Sequence, residues 1–134
     1  MDKKEQIHQI IGNIVSNFLV YSESIPGTRD RISVPLPQIP AEITCDRMED
    51  QHYIIEYNGF ILFWGYVYMN TIVKEPEYVV SPNSFMCKLE YTEDTLDKLI
   101  DVCNVLIDSR EAATGVSVPK EEPLTRFQAI ELEP

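Results

Sequence analysis

Few residues in this chain have the type and spacing to do chemistry. In the stretch HYIIEYNGFILFWGYVYM, residues 52–69, His52 and Glu56 alternate onto one face, as an acid/base pair would. Four residues of strand hold them roughly 13 Å apart at about 3.3 Å each, too far for a direct hydrogen bond. They read instead as a histidine at a sheet edge and a glutamate beside a turn. Cys45, Asp46, Glu49, Asp50 and His52 gather possible ligands in one short run. Their spacing fits neither a zinc site nor the ordered oxygen positions of a calcium loop, so a polar loop leading into a strand is expected and no metal is assigned.

The cysteines are Cys45, Cys87 and Cys103, an odd number without a C-x-x-C pair, which encodes neither a disulfide framework nor a zinc ribbon. A nucleophilic Cys87 or Cys103 needs electropositive surroundings, whereas both fall on apolar faces and read as core thiols. No G-x-S-x-G, H-E-x-x-H, phosphate-binding loop or dinucleotide fingerprint occurs. Catalytic residues and cofactors are therefore not assigned, and a non-enzymatic protein is expected.

What stands out is ring surface. Tyr53, Tyr57, Phe60, Trp64, Tyr66 and Tyr68 crowd one hairpin, and the tyrosines and tryptophan each carry a polar atom that wants a partner. That mixture is enriched at protein interfaces, although burial under helices is the equal alternative. Phe127, Ile130 and Leu132 in the tail VPKEEPLTRFQAIELEP join this candidate contact set, since the tail looks poorly anchored by its own chain. An edge strand of its own sheet is the alternative for the tail.

Charge points the same way. Twenty-two acidic residues against eleven basic ones leave a net charge of −11, which repels nucleic-acid phosphates and anionic lipid. Residues 90–133 hold eleven of the acids and four of the bases, so the C-terminal third is the negative part. Glu93, Asp94, Asp97, Asp101, Asp108 and Glu111 form an acidic helix face, read first as solvated and second as an imitation of a phosphate array. Protein partners are expected, with a homo-oligomer first, and neither direct nucleic-acid binding nor a membrane. The opening MDKKEQIHQI has no continuous hydrophobic region, so a soluble cytoplasmic protein is expected.

These residues need elements to hold them. Ile7, Ile10, Ile11, Ile14, Phe18 and Tyr21 recur at three- and four-residue spacing and predict an amphipathic helix over 3–21, weakened slightly by Gly12. Residues 22–50 read as a proline-rich connection, with Arg31 to Val34 the best strand in it. Asn58-Gly59 is a strong hairpin signal, because a type I′ turn needs positive φ at both central residues. Pairing Tyr57 with Phe60 then places Tyr53, Ile55 and Tyr57 with Leu62, Trp64, Tyr66 and Tyr68 on one face. The other face takes His52, Ile54 and Glu56 with Ile61, Phe63, Gly65, Val67 and Met69.

Tyr78 to Val80 and Phe85 to Tyr91 predict further strands. Thr92 is a good N-cap for a second helix from Glu93, with Tyr91 and Leu96 as a hydrophobic staple, and Gly115 ends it. Its buried stripe is Leu96, Leu99, Ile100, Cys103, Leu106 and Ile107. A strand over 124–132 follows, in an extension spanning 116–134. The whole predicts one α+β domain over 1–134: a mainly antiparallel sheet of four to five strands packed with two helices.

The order of first helix (Lys3 to Tyr21), proline-bearing connection, hairpin (Gln51 to Asn70), second helix (Glu93 to Arg110) and final strand (Leu124 to Leu132) resembles the tail-terminator and tail-completion proteins of tailed phages. That resemblance implies a ring-forming structural subunit of a tail or neck, without catalysis, located in the virion. The leading expectation is accordingly a non-enzymatic structural or interaction protein acting as part of an oligomer. The alternatives are an acidic inhibitor or nucleic-acid mimic that blocks a basic groove, and a small-molecule-binding α+β domain.

Overall fold

The apolar stripe of the first segment forms α1, Lys3–Glu23, in which Ile7, Ile10, Ile11, Ile14, Val15 and Phe18 are buried. The N–H of Glu5 donates to the Asp2 carboxylate at 2.8 Å, which caps the helix start. These features come from a computed structural model that describes residues 2–23, 31–46, 52–70, 77–81 and 89–121.

Five strands follow: β1 (Arg31–Leu36), β2 (Ala41–Asp46), β3 (His52–Tyr57), β4 (Phe60–Asn70) and β5 (Glu77–Val80). They pair antiparallel in chain order, β1-β2-β3-β4-β5. A second helix, α2 (Glu93–Thr114), closes the described chain. The expected α+β class, with two helices on an antiparallel sheet, is what the chain adopts.

The proline-rich connection holds more order than expected. Ala41–Asp46 is a strand, buried along most of its length. Pro37 and Pro40 lie in the turn that joins it to β1, and Pro35 sits on an edge strand, where a missing N–H is tolerated. In contrast, Leu89 to Tyr91 is not strand; the rest of that expected strand and the whole of 124–132 fall outside the described residues.

The β3–β4 hairpin turns as expected, with φ of 51° at Asn58 and 81° at Gly59. Its faces differ from a regular pairing. Tyr57 meets Phe60 and Glu56 meets Ile61, but Ile55 meets Phe63, so Leu62 is an extra residue in a β-bulge. A one-residue shift sends every later side chain to the opposite face. Tyr53 and Ile55 therefore share a face with Phe63, Gly65 and Val67, while His52 and Ile54 share theirs with Trp64 and Tyr66.

Both helices lie on one side of the sheet, α1 against α2 and β5, and α2 reaching β1. Ile43, Ile55, Phe63 and Val67 meet Ile11, Phe18, Leu99 and Leu106 in one core. Gly12 is the place where α1 touches β5: a Cβ there would collide with the Tyr78 carbonyl oxygen. Thr92 caps α2, its hydroxyl accepting from the Thr95 N–H at 3.2 Å. Gly115 at φ 74° ends it, as expected.

Candidate functional site

Cross-strand pairing lays out the face turned away from the helices as rows. The first row is Arg31, Asp46, His52 and Tyr66; the second is Ser33, Thr44, Ile54 and Trp64; the third is Pro35, Glu42, Glu56 and Ile61. Tyr68 opposite Val79 extends it toward the β5 edge. Among the described residues, no helix covers these rows.

Rings tie the first rows together. His52 stands edge-on to Tyr66 at 5.2 Å and to Trp64 at 6.1 Å between centroids. Tyr66 and Tyr68 lie nearly parallel, 6.5 Å apart and 8° from coplanar. Tyr68, Ile61 and Val79 are exposed. The Trp64 Nε1 is shielded from solvent and has no hydrogen-bond partner among the described residues. A buried donor left unpaired costs about 1–3 kcal/mol, so it favours any partner that brings an acceptor.

The expected contact set is divided by the bulge. Trp64, Tyr66 and Tyr68 share the open face. Tyr53 is on the helix side, 3% exposed and edge-on to Phe18 at 6.2 Å. Tyr57 is also on that side, half-buried, with the Lys98 ammonium 5.8 Å from its ring centroid. Phe60, at the hairpin tip, is 74% exposed. Phe127, Ile130 and Leu132 lie outside the described residues.

The possible ligand run is divided by the pleat. Cys45 faces the core and is buried, while Asp46 and His52 stand opposite one another on the other face. Glu49, Asp50 and Cys87 lie outside the described residues. Among those described, no group of three or more His, Cys, Asp or Glu side chains is placed to hold a metal ion. His52 and Glu56 are two rows apart on the open face, which brings no acid/base pair together.

Comparisons with protein-family models, with curated proteins and with solved structures found no match.

Cys103 is fully buried in the helix layer, and its thiol is pushed up to about 12 by burial, with the Glu121 charge adding to the shift. Such a group is a core thiol and not a nucleophile. On α2, the acidic face is largely engaged within the chain. Asp94 pairs with Lys98 at 2.9 Å, Asp108 with Lys120 at 2.7 Å, and Glu93 with Lys3 at 3.8 Å. Glu111 accepts from the Val118 N–H at 2.9 Å. Asp97 and Asp101 remain exposed and without an ion pair among the described residues.

Sequence reasoning missed two features of the described chain. One is the third row, where Glu42 and Glu56 face each other directly; β2 had not been recognised, so neither had the pairing. The other is the clasp after α2. Asn104 donates to the Glu121 carbonyl at 3.0 Å and accepts from the Glu121 N–H at 2.8 Å, while Asn13 of α1 donates to the Glu121 carboxylate at 2.7 Å. No helix among the described residues is long and apolar enough to cross a membrane.

Proposed function

We propose that the chain is a non-enzymatic interaction protein that works as a subunit of an oligomeric assembly, with the open sheet face as its contact surface. One observation carries this reading: the helices cover one face, and the other presents Trp64, Tyr66, Tyr68, Ile54 and Ile61 where a solvated antiparallel sheet would alternate to polar residues. Rings bearing a single polar atom, with a shielded indole N–H among them, suit a surface that becomes covered. A phage tail or neck is one setting for such a subunit, and virion location goes with it; that part rests on the order of elements. A cytoplasmic assembly is the other setting.

Light scattering on reduced protein tests the reading. A species heavier than the 15.4 kDa chain is expected at micromolar concentration. Tyr68→Lys with Val79→Lys, both at exposed positions of the open face, should return it to a single chain with its thermal transition retained. A strict monomer before substitution would remove the homo-oligomer from the reading.

A further inference from the structure

At the end of the sheet where both tight turns lie there is a cleft of about 230 Å³. Pro35, Ile39 and Pro40 supply an apolar part of its wall, and it reaches Gly59 of the neighbouring turn. The Asn58 N–H donates to the Pro40 carbonyl, which fixes the two turns beside one another. Glu42 and Glu56, directly opposite on β2 and β3, line the rest of the cleft.

Like charges directly opposite in a sheet destabilise it. The Ser33 hydroxyl donates to the Glu42 carboxylate, but the ion pairs formed among the described residues use Glu93, Asp94 and Asp108. Two carboxylates on adjacent strands, held by apolar walls and without their own cation among the described residues, complement a positive group that brings an alkyl stem. Directly opposed side chains have Cβ atoms about 4.5–5.5 Å apart, a spacing that a planar guanidinium with donors on several sides can bridge. A compact ammonium satisfies the two carboxylates less well.

From this geometry we infer that the cleft receives an arginine side chain from a basic segment of another protein. Its alkyl stem lies against Pro35, Ile39 and Pro40, and its guanidinium bridges Glu42 and Glu56. The inference rests on the reading of the chain as an interaction protein and names the chemistry of its partner. The wider charge of the molecule, −11, steers a basic segment toward the surface.

The test is a backbone-amide NMR titration with the capped tripeptide Gly-Arg-Gly, alongside the same peptide with citrulline or lysine in place of arginine. Saturable shifts at residues 39, 41, 42 and 56–59 are expected with arginine. Citrulline, which keeps the shape and loses the charge, should bind about tenfold more weakly or not at all. The double variant Glu42→Gln, Glu56→Gln should weaken arginine binding by a similar factor with a thermal transition no lower than that of the wild type, because the opposed like charges are removed. Higher salt should weaken it in the wild type. Shifts that are absent, equal for citrulline, or unaffected by the double variant would overturn the assignment, and equal binding of lysine would overturn the guanidinium bridge. Should the protein prove an oligomer while the peptide fails to bind, the cleft assignment falls and the contact role of the aromatic face stands.

Discussion

Two single residues show how a small change in chemistry reaches the fold. Gly12 lies in the interior of α1, where alanine normally gains about 1 kcal/mol over glycine. Here the added methyl meets the Tyr78 carbonyl of β5, a backbone atom that cannot swing aside. Overpacking costs typically about 1–3 kcal/mol, so the steric term wins. Gly12→Ala should lower the urea midpoint, and an unchanged or raised midpoint would show that α1 and β5 do not approach so closely. Cys103 makes a pH prediction. Its thiol is raised from an ordinary value of 9.0 to about 12 by burial, so above pH 9 the unfolded chain releases a proton that the folded chain keeps. The stability contributed by the neutral buried thiol is fully present below pH 9 and is lost as pH rises toward about 12. Thermal melts across that window should fall less steeply for Cys103→Ala than for the wild type, whatever its stability at neutral pH.

At the scale of elements, legibility in the sequence followed how redundantly each signal is written. Both helices are plain because a stripe of isoleucines or leucines coincides with end signals: Thr92 and Gly115 do at α2 what their types predict. The Asn58-Gly59 turn is equally plain, since few other dipeptides accept two successive positive φ values. The bulge at Leu62 was not legible. Ile61, Leu62, Phe63 and Trp64 are all apolar, so hydrophobic alternation carries no phase there and a one-residue shift leaves no mark. The candidate surface followed that error: Trp64, Tyr66 and Tyr68 belonged together as expected, whereas Tyr53 joined the core. Strand β2 was hidden because prolines 35, 37 and 40 look like breakers until one is placed on an edge and two in a turn. The bulge has its own consequence. Deleting Leu62 makes Ile61 and Phe63 successive residues opposite Glu56 and Ile55, restores an unbroken ladder, and removes one buried leucine. Loss of a buried large apolar side chain costs about 2–5 kcal/mol, so the deletion should destabilise the protein, and hydrogen exchange should show the loss concentrated in β3 and β4.

At the scale of the whole molecule, the described residues pack two helices on one face of the sheet, and a short return of the chain ties the helix layer shut. After Gly115 the backbone passes Val118, which rests against the core, and reaches Glu121, held by Asn104 of α2 and Asn13 of α1. The paired bonds from Asn104 to both the N–H and the carbonyl of Glu121 act like one rung of a ladder made by a side chain. Asn13 in turn connects to Asn17 through its carbonyl, and Asn17 accepts from the Arg110 guanidinium at 3.0 Å, so the clasp joins a polar seam running between the two helices. This seam explains how the polar Asn17 of α1 can be buried, with its amide satisfied by Asn13 and Arg110. It also holds Glu121, the last described residue, against the helix layer. Asn104→Ala removes both bonds to Glu121 while leaving the apolar stripe of α2 intact. Since each net hydrogen bond contributes roughly 0.5–1.5 kcal/mol, the global transition should fall by about 1–3 kcal/mol, with the larger effect local. Amide exchange at Val118 and Glu121 should quicken more than exchange in the centre of α2, which should follow only the global loss. Equal protection of Glu121 in both proteins would mean that the return segment is held by something other than this asparagine.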